Sequence, residues 1–107
     1  NDKGCAFGGS LVSLMTLSGW ALVELALRRR GIDCDVFVAE SSVRYLAPLW
    51  GDFRSDARLP PDADWATFFS TLAARNKARI SVDCVVHGDD GKPASTLTAR
   101  YVAKRRG

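Results

Sequence analysis

The chain has one histidine, His87, and three cysteines, Cys5, Cys34 and Cys84, with no CxxC spacing. That is too little to ligate a zinc ion and an odd number for a disulfide framework. It fits a reducing cytoplasm, where the protein is expected to act. No aromatic platform accompanies the basic clusters at Arg28–Arg30 and at Arg100, Lys104, Arg105 and Arg106. With a net charge of only +3, nucleic acid is not the expected partner. No basic stretch and cleavage site frame the apolar run in the order a secretory signal needs. Internal repeats and low-complexity segments are missing as well. The 107 residues amount to one domain, 47% apolar and 25% charged, which is ordinary globular material. The start, Asn1-Asp2-Lys3-Gly4, carries neither an initiator methionine nor a leading strand, so residues are expected upstream.

What is abundant is apolar sequence behind a glycine pair. Gly8 and Gly9 precede a run from Leu11 to Leu27 whose only charge is Glu24. Ser10 or a neighbouring glycine can cap it, and Arg28-Arg29-Arg30-Gly31 closes it with cations at the negative end of the helix dipole. Apolar residues fall on every face, which predicts a helix buried all round or spanning a membrane. The run holds 17 residues against about 20 for a span, and Ser13, Thr16, Ser18, Gly19 and Glu24 interrupt it. A membrane is therefore not expected, and the rest of the chain should wrap the helix.

The remainder alternates. Asp35–Tyr45 reads as a strand, Val36, Val38, Ser42 and Arg44 against Phe37, Ala39, Val43 and Tyr45, with a bend or bulge at Ser41-Ser42. Pro48 breaks the pairing. Phe53–Leu59 is a short strand. Asp62 or Asp64 caps an amphipathic helix over Trp65–Arg75 that turns Trp65, Phe68, Phe69 and Leu72 inward. Lys77–His87 and Lys92–Arg105 form a hairpin about Gly88-Asp89-Asp90-Gly91. Helices and strands are segregated, with no repeating βαβ, so the class is α+β with an antiparallel sheet curved around the long helix.

With these pieces in place, Asn1–Leu11, Leu14–Trp20, Ser41-Ser42-Val43-Arg44-Tyr45-Leu46-Ala47-Pro48 and Gly51-Asp52-Phe53 carry a resemblance. The chain resembles the hotdog-fold thioesterases, most closely the family typified by the C-terminal part of YiiD. The likeness covers residues 1–107 as a single hotdog domain, with the family's N-terminal strand absent. It implies a hotdog fold, a homodimer or homotetramer with sites between subunits, and acyl-CoA or acyl-carrier-protein thioesters as substrates. It implies no cofactor and no metal, and an acetyltransferase-like domain precedes this one in some relatives. In the wider group the loop reads Asn-x-x-Gly followed by His-Gly-Gly. Asn1 and Gly4 match, but Phe7 stands where the histidine belongs, and Thr16 where many relatives carry a catalytic acid.

Thioester hydrolysis needs an oxyanion site and a poised water. Backbone N–H groups of Gly8, Gly9 and Ser10 at the helix start lack helical partners, and glycine lets a carbonyl approach closely. Asn1, Asp2 and Thr16 are the candidates for the water: Asn1 and Thr16 can orient it, and Asp2 can take its proton. Gly4, Phe7, Ser41 and Ser42 complete the expected substrate contacts. Cys5 lies near the helix start but has no histidine close in sequence to activate it. Glu24 is expected to pair with an arginine, and His87 to be solvated at a hairpin tip. Phe7 and Thr16 also leave open a non-catalytic module that binds acyl thioesters and regulates or scaffolds.

Overall fold

Segregated helix and strand patterns leave one economical packing, a helix laid across an antiparallel sheet, and the computed structural model has it. It describes residues 8–47, 49, 53–88 and 90–106. The order is α1 (Gly8–Arg29), β1 (Cys34–Tyr45), β2 (Ser55–Arg58), α2 (Trp65–Arg75), β3 (Lys77–His87) and β4 (Pro93–Arg105). The four strands form one antiparallel sheet in the order β1-β4-β3-β2, and every strand packs against α1. This is the hotdog arrangement, a long helix against a curved sheet.

The sheet's inner face follows the alternation. Ala78, Ile80, Val82, Cys84 and Val86 of β3 and Ser95, Leu97, Ala99, Tyr101 and Ala103 of β4 are buried, and the register pairs them across the hairpin. On β1 the expected alternation holds only to Val38. The register slips between Val38 and Glu40, so the irregularity lies at Ala39 rather than at Ser41-Ser42. Val36 and Val38 pair with Ala103 and Tyr101, and Ser41 and Val43 with Ala99 and Leu97. The inner set is thus Val36, Val38, Ser41, Val43 and Tyr45. One extra residue in a strand switches which parity faces the core. β2 is shorter than its sequence pattern, spanning Ser55–Arg58.

α2 is anchored at both ends. Asp64 accepts the Thr67 N–H at 2.7 Å and the Thr67 hydroxyl at 3.0 Å, which holds its carboxyl below the usual range. Asn76 ends the helix at φ 61°, its N–H donating to the Leu72 carbonyl at 2.8 Å. β2 pairs only with the far half of β3; among the described residues the near half has no strand neighbour on that side, and α2 packs against β3. Phe68, Phe69 and Leu72 enter the core there.

α1 is not buried all round. Leu11, Met15, Gly19, Val23 and Leu27, every fourth residue, face the sheet and are buried. The opposite side carries Leu17 at 60% and Leu25 at 52% exposure. The helix is long and apolar enough to cross a membrane by length and composition. Its inner stripe is nonetheless taken by the strands. A single sheet covers one face of a helix, so the apolar outer face is surplus to the fold of one chain.

Candidate active site

Three contacts fix how α1 lies on the strands. The Cys84 thiol donates to the Met15 carbonyl at 3.1 Å, the Tyr101 hydroxyl to the Thr16 carbonyl at 2.6 Å, and the Trp20 indole N–H to the Val36 carbonyl at 3.2 Å. The helix therefore starts beside the Tyr45 end of β1 and finishes beside its Cys34 end. Gly19 lets this happen. A Cβ there would meet the buried Tyr101 ring carbons at 2.8 Å. Glycine costs about 1 kcal/mol in a helix interior, and here it opens the groove that Tyr101 fills.

Burial pushes the Tyr101 phenol up to about 12 and the Cys84 thiol up to about 11. Both groups are neutral donors in the fold, with acid forms favoured over those of the unfolded chain. Their contribution is full below pH 9, is lost for Cys84 between 9 and 11, and for Tyr101 between 10 and 12. Unfolding in urea should accordingly show a plateau to about pH 9 and a decline above it. Each group accounts for on the order of 2 kcal/mol. Tyr101→Phe should remove the upper part of the decline.

Between the outer side of α1 and the first half of β1 lies a cavity of about 540 Å³ lined by Val12, Ser13, Thr16, Leu17, Trp20, Phe37 and Val38. Its walls are mostly apolar, with the Ser13 and Thr16 side chains as the polar points. Size and lining suit an acyl chain. Thr16 is thus on the cavity wall. Gly8, Gly9 and Ser10 form the first turn of α1 at its upstream end, where main-chain N–H groups lack partners within the helix. Asn1, Asp2, Gly4, Cys5 and Phe7 lie outside the described residues. Ser41 and Ser42 are elsewhere. With Glu40, Ser81, Thr98, Ala99 and Arg100 they line a separate polar cleft of about 180 Å³, and one chain does not bring them to Thr16.

The remaining polar candidates among the described residues do not line this cavity. Glu24 pairs with Arg28 at 3.0 Å, one helical turn on. His87 is partly exposed, with Nδ1 3.9 Å from the Asp56 carboxylate. Cys34 and Cys84 are free, buried thiols, and burial raises the pKa of both. Among the described residues no cluster of His, Cys, Asp or Glu could hold a metal ion. Sequence reasoning missed Ser13, Trp20, Phe37 and Val38 as cavity walls. The spacing of Ser13, Thr16, Leu17 and Trp20 at three and four residues was the available signal. What hid it was the assumption that every apolar face of α1 is core.

Comparison with known proteins bears on the fold and the family. A protein of unknown function from Chlorobaculum tepidum superposes with a TM-score of 0.90 at 30% identity, over 99% of this chain and 70% of that one. A protein from Shewanella oneidensis described as a "putative thioesterase" gives 0.81 at 30% identity, over 94% of this chain and 66% of that one. A Bacillus halodurans protein crystallised with CoA gives 0.65 at 18% identity, over 92% of this chain and 56% of that one, a likeness of fold alone. A family model described as "Putative thioesterase (yiiD_Cterm)" matches residues 1–105, and the chain belongs to that thioesterase family.

Proposed function

We propose that the protein hydrolyses acyl thioesters of CoA or of an acyl-carrier protein, at a site completed by a second copy of the chain. The observation that carries this reading is the apolar cavity along α1, with Thr16 on its wall and the helix start upstream of it. The acyl chain lies along Val12, Leu17, Trp20 and Phe37. The thioester oxygen is held by main-chain N–H groups of Gly8, Gly9 and Ser10. Water adds to the carbonyl carbon and gives its proton to a base. The oxyanion then collapses, the C–S bond breaks, and the departing thiolate takes the proton. One oxyanion donor contributes about 3 kcal/mol to such a step. Thr16 orients the water or the carbonyl, and Asp2 is the carboxylate available as base.

The second copy is supported by what one chain leaves open. Among the described residues β1 is a 12-residue edge strand paired on one side only, and Phe37, Val38 and Leu17 are exposed about the cavity beside it. Long apolar edges are normally covered. A second reading has its own support. The cavity lining among the described residues includes no carboxylate or imidazole, which favours a module that binds acyl thioesters without turning them over.

The test is thiol release from acyl-CoAs of graded chain length, together with their equilibrium binding. Turnover above the buffer blank is expected. Thr16→Val should lower kcat/KM about 10- to 100-fold, the equivalent of one lost hydrogen bond of roughly 1.4–2.8 kcal/mol, with unfolding unchanged. Binding without turnover would select the second reading. Neither binding nor turnover would overturn both.

A further inference from the structure

Charge is unevenly placed on this molecule. The far end of α1, the end of α2, the start of β3 and the end of β4 meet at one pole, tied by backbone bonds from Arg105 to Asn76 and from Arg106 to Asp33. That pole holds eight of the fifteen Lys and Arg residues against three carboxylates, Glu24, Asp33 and Asp35, so the rest of the chain is net acidic. Glu24 is taken by Arg28, and both aspartates by Arg106 at 2.9 and 2.8 Å. Arg30 lies over the Phe69 ring at 4.0 Å. Arg29, Arg75, Lys77, Lys104 and Arg105 are exposed and have no ion-pair partner among the described residues.

Helix dipoles account for Arg29 and Arg75, each in the last turn of its helix. They do not account for the strands. Lys77 of β3 stands directly opposite Lys104 of β4, whose neighbour on the other side, Asp35 of β1, is already bonded to Arg106. Like charges so placed destabilise a sheet. A cationic surface kept at that cost is suited to an anion.

The pole is too far from the catalytic end of its own chain to serve it, because α1 is 22 residues and about 33 Å long. A second copy changes the distance. Two β1 edges paired across a two-fold axis normal to the sheet run antiparallel, so the Cys34 end of one strand lies beside the Tyr45 end of the other. The cationic pole of one subunit then stands next to the helix start of its partner.

We propose that this pole, through Arg29, Lys77, Lys104 and Arg105, binds the phosphate-bearing part of the acyl thioester whose carbonyl sits at the other subunit's helix start. This rests on the thioesterase reading above. Phosphate is the shared chemistry of CoA and of the phosphopantetheine arm of a carrier protein. Three thioesters of one acyl group separate the sources: acyl-CoA, acyl-phosphopantetheine and acyl-N-acetylcysteamine, which has no phosphate. In the full chain carrying Arg29→Ala, Lys104→Ala and Arg105→Ala together, KM for acyl-CoA should rise at least 10-fold with kcat unchanged. The salt dependence of KM should flatten. The N-acetylcysteamine thioester should be unaffected.

A rise for acyl-phosphopantetheine as well assigns the pole to the arm's own phosphate, and a rise for acyl-CoA alone to the nucleotide. An unchanged KM for acyl-CoA, or an equal change for all three thioesters, overturns the proposal while leaving hydrolysis standing. If the wild type hydrolyses none of them, the thioesterase reading falls. CoA binding that is weakened by salt in the wild type and lost in the triple variant would still uphold the pole, and its absence would overturn it.

Discussion

Gly19→Ala should lower the thermal midpoint by roughly 8–16 °C, although alanine is the better helix former. The new methyl points into the buried Tyr101 ring, with two ring carbons at 2.8 Å. Neither side yields cheaply. The ring is fully buried, its hydroxyl is held by the Thr16 carbonyl, and α1 is held by β1 through Trp20. Overpacking of this kind costs about 1–3 kcal/mol, and this site lies at the upper end, partly offset by about 1 kcal/mol of helix propensity. A domain of this size loses about 4–8 °C per kcal/mol. Tyr101→Phe in the same background should recover only part of the loss, since the ring remains. A midpoint within 2 °C of the wild type would mean that α1 can lift from the sheet, and the register of helix on strand described above would be wrong.

Leu17→Glu should have the larger effect on activity and a small one on the fold. Leu17 is 60% exposed in one chain, so a carboxylate there costs the monomer little. In the proposed assembly the same position is buried between copies and borders the acyl cavity. An unpaired buried charge costs several kcal/mol, enough to shift the oligomer to monomer at micromolar protein. Sedimentation should show the wild-type mass halved or quartered, and hydrolysis should fall more than about 100-fold. An unchanged mass with unchanged turnover would remove Leu17 from any interface and with it the shared site.

Much of the fold could be read from the residues, because the signals were periodic. Lys77–His87 alternates without a break, and the strand has those bounds. Trp65–Arg75 carries its inward face at helical spacing behind an aspartate cap, and both the helix and the cap at Asp64 are present. Two things were not legible, for different reasons. The position of the bulge depends on where β4 places its hydrogen bonds. Neither Ala39 nor Ser41 carries a local mark that decides it. The outer face of α1 misled because its composition matches the inner one. Sequence records that Leu17 and Met15 are both apolar, but not that the sheet reaches only one of them.

The candidate site was half legible. Thr16, picked out because it stands where many relatives carry an acid, lies on the cavity wall, while Phe37 and Val38 come from a strand more than fifteen residues away. Only the fold brings them together. Ser41 and Ser42, expected to face a neighbouring subunit's site, line a different cleft within one chain.

The irregularity at Ala39 also sets how this strand can change length. Removing that one residue would leave Val36, Val38, Val43 and Tyr45 facing the helix as before, since the stretches on either side already obey a two-residue repeat. Removing any residue beyond it, between Ser41 and Val43, would turn part of the second stretch inside out and take Val43 away from the core it packs against. Natural variation in the length of β1 is therefore confined to one hinge-like position, and alignments of related chains should place their gaps there.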